Sequence, residues 1–172
     1  MYYRKFIDFL IEHNIYNKEE LDYYESNRIQ FDYQDKEQRD FIGCYCSLKD
    51  NILIKINIIV PFIDDDKTLL INIHEYIHFI LFYPHLNKKC RIGIDKEVLP
   101  IYYERIFIEE NKTKELEAYY KYLKYRIISN DDKAYLLALK VTDILLEKQK
   151  EENIYKMEKR VKKLSKKINK QL

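Results

Sequence analysis

Residues 64–84 read Asp-Asp-Asp-Lys-Thr-Leu-Leu-Ile-Asn-Ile-His-Glu-Tyr-Ile-His-Phe-Ile-Leu-Phe-Tyr-Pro. Apolar residues recur here with the spacing of a helix, and any of the three leading aspartates is suited to cap its N-terminus. Because Pro84 cannot continue a helix, the pattern predicts one from about Lys67 to Tyr83. Two histidines and a glutamate interrupt the apolar residues, so the stretch does not predict a membrane span.

Within that helix, His74, Glu75 and His78 form the pattern His-Glu-x-x-His. Residues four apart lie on one helix face, so both imidazoles can hold one zinc ion. Glu75 lies about 100° around the helix from His74. It is therefore beside the metal rather than on it, where a base can take a proton from a zinc-activated water. The spacing predicts a zinc site with Glu75 as general base.

The third zinc ligand must come from another part of the chain, because catalytic zinc usually has three protein ligands. The nearest later histidine, His85, follows the proline that ends the helix and is not favoured. A glutamate on a later helix is the other common solution, and Glu97 and Glu104 are the two candidates. Pro100 suits a first helical turn, which puts Glu97 just outside a helix and Glu104 inside it, on a face expected to turn inward.

Taken together, the two motifs resemble the glutamate-type zinc metallopeptidases, or gluzincins, and in particular the thimet oligopeptidase and oligopeptidase F group. In that group, His-Glu-x-x-His is followed by a helix with one glutamate and a second glutamate seven residues later, which is the zinc ligand. The resemblance implies a zincin-like domain that hydrolyses peptide bonds, with His74, His78 and Glu104 as zinc ligands. It also implies that Glu75 is the base and that Glu97 supports the site from behind the ligands.

Outside the motif, the sequence predicts an α+β fold that is mostly helical. A small antiparallel sheet is expected ahead of the zinc-binding helix, because residues 41–46 and 52–60 have the pattern of a β-hairpin that ends at Pro61. Residues 31–39 are polar and predict a loop. Helices are expected over residues 2–12, 18–28, 100–108 and 113–128, and one long last helix from about 131 to beyond 160.

The chain of 172 residues suits a single metallopeptidase domain, expected over residues 1–147, followed by a basic helical extension over residues 148–172. The extension holds 10 Lys and Arg against 3 Asp and Glu, a net charge of +7, and the remainder of the chain has a net charge of −5. A basic helix of this kind is most often a solvated surface, and nucleic acid is its less common partner.

Composition excludes several other classes of protein. Two glycines and three prolines do not favour a turn-rich β-sandwich or a glycine-rich nucleotide site. Three cysteines in a chain of this length do not predict a disulfide framework. Asp8 interrupts the only apolar residues near the N-terminus, so no signal peptide is expected and the predicted location is the cytoplasm.

The sequence therefore predicts a zinc-dependent peptidase that acts on a peptide or protein substrate. Two alternatives stay open: a regulatory protease that cuts a single partner protein, and a non-catalytic module in which zinc is structural and the basic tail binds nucleic acid or a partner helix. An open fourth coordination position beside Glu75 would favour an enzyme, whereas a closed site would favour a structural role.

Overall fold

The computed structural model describes residues 1–31, 42–90, 93–129, 133–147 and 153–170. The chain divides into two compact units, Met1–Ile92 and Gly93–Leu172. As the sequence predicts, the fold is α+β and mostly helical, with one three-stranded sheet among the described residues. The expected division into a domain over 1–147 and an extension over 148–172 stays a prediction.

The first unit contains three helices and the sheet. Each of the three helices begins and ends within one residue of its predicted bounds. The elements are α1 (Tyr2–Glu12), α2 (Lys18–Asn27), β1 (Arg28–Phe31), β2 (Gly43–Lys49), β3 (Ile52–Pro61), α3 (Asp66–Phe82) and a 3-10 turn at Tyr83–His85.

The sheet has the strand order β1-β3-β2 and is mixed rather than antiparallel. The predicted hairpin is confirmed: β2 and β3 are antiparallel, and Asp50 and Asn51 form the turn with φ of 53° and 64°, the left-handed conformation that suits a two-residue hairpin. The expectation of a purely antiparallel sheet is wrong, because β1 pairs parallel to β3, with Arg28 opposite Ile58. The predicted loop at 31–39 lies almost entirely outside the described residues.

Helix α3 is the centre of the first unit's core. It contacts β2 and β3 as well as α1 and α2. Tyr76 is fully buried, and its ring makes edge-to-face contacts with Phe6 (centroids 5.6 Å apart) and Tyr24 (5.1 Å). Aromatic pairs of this geometry add about 0.5–1.5 kcal/mol to the burial of their area. The chain has 17 Tyr and no Trp, and tyrosine takes the place of the large core aromatic here.

The second unit is helical. It begins with a 3-10 turn at Ile94–Glu97, followed by α4 (Val98–Asn111), α5 (Lys114–Ser129), α6 (Lys133–Glu147) and α7 (Ile154–Ile168). The prediction of one long last helix is wrong, because α6 ends at Glu147 and a new helix starts after Asn153. The Asn153 side chain accepts a hydrogen bond from the backbone N–H of Tyr155 at 3.0 Å, which is the contact of an N-cap.

Helix α7 packs against α4 and α6 with one face. Ile154, Met157 and Val161 are buried on that face, and the Tyr103 hydroxyl donates to the Met157 sulfur at 3.7 Å. The described part of the chain contains no helix that combines the length and the apolar character needed to cross a membrane.

Candidate functional site

The start of α3 is fixed by a reciprocal pair of hydrogen bonds. The Asp65 carboxylate accepts from the backbone N–H of Thr68 at 2.7 Å, and the Thr68 hydroxyl oxygen accepts from the backbone N–H of Asp65 at 3.2 Å. This is a capping box, which satisfies two N–H groups that the helix itself leaves unpaired. It places His74 and His78 two to three turns inside a helix with a defined start.

Asn72 ties α3 to the rest of the first unit. Its side-chain amide nitrogen donates to the carbonyl oxygens of Pro61 (3.2 Å) and Thr68 (2.8 Å), and its amide oxygen accepts from the Tyr24 hydroxyl (3.4 Å) and from Arg28 (3.2 Å). The residue is fully buried. A buried amide with all these partners holds the helix in one position and one rotation. This structural role of Asn72 is not among the predictions from sequence, although a lone asparagine within an apolar helical stretch is a signal for it.

The two histidines of the motif face each other on α3. Their Nε2 atoms lie 3.1 Å apart and their ring centroids 4.8 Å apart. The ring of His78 also stacks on that of Phe82 in the next turn, with an interplanar angle of 7°. His78 is 7% exposed, whereas His74 is half-buried. The prediction that both imidazoles lie on one helix face is confirmed.

This spacing fits a shared metal ion. Two Zn–N bonds of about 2.0–2.1 Å that end on nitrogens 3.1 Å apart enclose an angle of about 95–100°. That angle is about 10° smaller than the ideal tetrahedral value, so a small side-chain adjustment is enough for both atoms to bind zinc. Without metal, the same two nitrogens can share one proton as donor and acceptor, depending on the tautomer of each ring. The distance between the two nitrogens is therefore compatible with one shared metal ion.

Glu75 lies between the two histidines in sequence and is 8% exposed. Its Oε2 atom is buried and has no hydrogen-bond partner among the described residues. Buried carboxylate oxygens are nearly always hydrogen-bonded, so an exception calls for a functional explanation. An oxygen without a donor can accept a proton or a water hydrogen, which agrees with the role predicted for Glu75.

Cys44 on β2 is the other notable neighbour of Glu75. Burial raises the pKa of the Cys44 thiol, and the negative charge of Glu75 raises it further. Cys44 pairs with Ile58 and Cys46 with Ile56, and because both partners are buried the two cysteines lie on the inner face of the sheet. Without metal, the thiol of Cys44 therefore stays protonated at neutral pH. The sequence pattern predicts both thiols on one face, but it does not predict that Cys44 lies next to Glu75.

Glu97 and Glu104 belong to the second unit, and both are buried. Glu97 is 4% exposed, precedes α4 as its N-cap residue, and pairs with Lys96 at 3.6 Å. Glu104 is 7% exposed and lies inside α4. The inward face predicted for Glu104 is confirmed. Its combination with the two histidines in one zinc site stays a prediction.

Comparison with models of protein families, with curated proteins and with solved structures finds no match to this chain. The resemblance to gluzincins thus depends on the residues of the motifs, and the functional argument depends on the geometry of the site.

Proposed function

We propose that this protein is a zinc-dependent peptidase of the gluzincin type. The observation that carries the proposal is the pair of Nε2 atoms of His74 and His78, 3.1 Å apart on one helix face. The buried, unpartnered Oε2 of Glu75 beside them supports it. Two histidines with a buried carboxylate between them are a costly arrangement in a core unless they have a function.

Three residues are proposed to hold the metal. His74 and His78 bind through Nε2, and Glu104 supplies the third ligand because it matches the family's ligand and is a buried carboxylate inside α4. Glu97 is proposed to support the site from behind these ligands. Zinc in such a site polarises the substrate carbonyl and lowers the pKa of water.

Glu75 is proposed to be the general base. It accepts a proton from the water that attacks the scissile carbonyl, and it later delivers that proton to the leaving amine nitrogen. Its low exposure keeps bulk water from competing for the carboxylate. A peptide or protein substrate and a cytoplasmic location belong to the same proposal.

Metal analysis of the purified full chain tests this proposal. After zinc loading and gel filtration, we expect about one zinc per chain. His78→Ala should lose at least about 100-fold in zinc affinity, since it removes a direct ligand, whereas losses of 10–100-fold already follow from changes behind the ligands. His85→Ala is the matched control, because His85 lies in the 3-10 turn after α3, and it should keep the affinity within a few-fold.

Separate measurements test the proposed third ligand and the proposed reaction. Glu104→Ala should weaken zinc binding by 10–100-fold or more, and the zinc-loaded wild type should hydrolyse a quenched fluorescent casein. No zinc in the wild type would overturn the whole proposal. Zinc binding without hydrolysis of casein or of a broad peptide library would instead indicate a structural site.

A further inference from the structure

The outer side of α7 is lined with lysines. Relative to Met157 on the buried side, the lysine positions cover the opposite half of the helix circumference at 3.6 residues per turn. We call this surface the lysine face. It consists of six residues of α7 and of Lys170 just beyond the end of the helix, all exposed: Lys156, Lys159, Lys162, Lys163, Lys166, Lys167 and Lys170.

Almost none of this charge is neutralised within the described part of the chain. Glu158 is the one acidic residue between positions 153 and 170, and it pairs with Lys162. The other six lysines form no ion pair or hydrogen bond with a described residue. Like charges at positions three and four apart repel each other and destabilise a helix by a few tenths of a kcal/mol per pair. An anionic partner with regularly spaced charges would relieve this repulsion and so bind the lysine face favourably.

We propose that the lysine face binds the phosphate backbone of nucleic acid without sequence preference. Lysines three to four residues apart are about 4.5–6 Å apart along the helix axis, and flexible ammonium groups at this spacing can each reach a different phosphate. The one arginine of α7, Arg160, is half-buried, whereas the exposed lysines bind phosphate as flexible point charges. Contacts of lysine with phosphates position a protein on nucleic acid but carry no sequence information.

The packing of α7 disfavours an acidic membrane as the partner. A helix that lies on a membrane inserts an apolar face below the headgroups. In α7 that face is used inside the protein, because Ile154, Met157 and Val161 are buried. The one large apolar residue among these lysines is Tyr155, which is 38% exposed, and a single tyrosine does not form an apolar face. A protein partner is also disfavoured, since lysine is depleted in protein interfaces, which need apolar or aromatic anchors.

The test measures fluorescence anisotropy of a fluorescein-labelled 20-base-pair DNA of random sequence, titrated with the full chain. If about four lysines contact phosphates at once, the affinity should fall with salt at a log–log slope of about −3.6. Between 50 and 200 mM NaCl, this slope weakens binding by roughly 100-fold. An affinity that does not change with salt contradicts the proposal.

Two variants with equal charge separate the lysine face from net charge. Lys159→Gln, Lys163→Gln and Lys166→Gln are combined in one variant. The control combines the same change at Lys114, Lys121 and Lys124, which are exposed on α5. We expect the first variant to reduce the salt slope by about 2–3, or about one for each phosphate that is no longer bound, and to bind at least 20-fold more weakly at 50 mM NaCl. The control should stay within about threefold of the wild type.

Three further measurements distinguish nucleic acid from other partners and check that the variants are folded. Equal weakening in both variants would show that only net charge matters and would overturn the proposal. Tighter binding to vesicles with 30% phosphatidylserine, or to polyglutamate of matched charge, than to DNA would also overturn it. If the triple variant loses helical circular dichroism, the double variant Lys163→Gln with Lys166→Gln replaces it, with an expected slope change of about 1–2.

Discussion

Replacement of Glu75 by glutamine should increase the stability of the zinc-free protein and abolish its peptidase activity. Glutamine has the shape of glutamate but has no negative charge and cannot accept a proton from water. The change therefore tests two properties of one buried side chain: the free energy that its charge costs, and the chemistry that the charge supplies.

The size of the stability gain follows from the surroundings of Glu75. The residue is 8% exposed, and its Oε2 atom has no hydrogen-bond partner among the described residues. A buried polar group without a partner costs about 1–3 kcal/mol, and a charged one costs more. Glutamine leaves a neutral polar atom in place, so only the part due to charge is recovered, and we expect the free energy of unfolding to rise by about 1 kcal/mol. For a unit the size of Met1–Ile92, this corresponds to a rise in Tm of about 4–8 °C.

Urea unfolding of the zinc-free protein measures this gain. Because the chain has no Trp, circular dichroism at 222 nm and tyrosine fluorescence are the appropriate signals. Glu12→Gln is the matched control, since it removes the same charge from an exposed position at the end of α1, and it should change stability by no more than about 0.5 kcal/mol. With zinc bound, Glu75→Gln should keep its metal and lose about 10²–10⁴-fold in casein hydrolysis, the usual contribution of a general base.

Three results would refute the reasoning. A zinc-free Glu75→Gln protein that is less stable than the wild type, with Glu12→Gln unchanged, would mean that the carboxylate stabilises the fold. Loss of zinc in Glu75→Gln would identify Glu75 as a ligand instead of a base. Full activity of the zinc-loaded variant would remove Glu75 from the reaction.

Two further predictions concern Cys44 and Met157. Burial and the charge of Glu75 raise the pKa of the Cys44 thiol, so above about pH 8.5 the unfolded chain loses this proton while the folded protein keeps it. The free energy of unfolding should thus fall as the pH rises from about 8.5, by at most about 1.4 kcal/mol per pH unit from this group. Cys44→Ser, compared by urea unfolding at pH 7.5 and 9.5, should reduce the fall, and an unchanged pH dependence contradicts the assignment. Met157→Ala removes a buried side chain of α7 that contacts the Tyr103 hydroxyl and should cost about 2–4 kcal/mol. Exposed Lys156→Ala is its control, and equal effects of the two changes in thermal unfolding would show that α7 does not contribute a packed face.

The parts of the fold that the sequence predicts well are those set by local chemistry. Capping by Asp65 and termination of a helix by Pro84 do not depend on distant residues, so both ends of α3 can be predicted from the local sequence. The hairpin turn is similar, because asparagine and aspartate accept the left-handed backbone that Asp50 and Asn51 adopt.

The parts that the sequence does not predict depend on partners far along the chain. The four residues after α2 alternate polar and apolar but are too few to predict a strand, and β1 forms by pairing with β3 30 positions later, with Arg28 opposite Ile58. A lone asparagine in an apolar helix signals a buried amide, but the local sequence does not show that the partners of Asn72 outside α3 lie on α2, β1 and β3. The break between α6 and α7 falls in a run of polar residues without Gly or Pro, so no strong helix-stop signal precedes it, and the capping side chain of Asn153 marks the new start.

The residues of the candidate site also differ in how far the local sequence predicts their arrangement. His74, Glu75 and His78 lie within five residues of one helix, so helical geometry alone predicts which of them face each other. Glu104, the proposed third ligand, belongs to the second unit, and the sequence indicates it only through Pro100 and the spacing of two glutamates. For the same reason, the proximity of Cys44 to Glu75 required the sheet register.

The mixed sheet also sets the order in which the first unit can fold. The hairpin of β2 and β3 closes through a two-residue turn and forms within microseconds, before any distant pairing is required. Parallel pairing of β1 with β3 must first close a loop of 30 positions, and its entropic cost is repaid only when the pairing is complete. We therefore expect the hairpin to form before β1 docks. For the same reason, separation of β1 from β3 is the partial unfolding step that leaves most of the core intact.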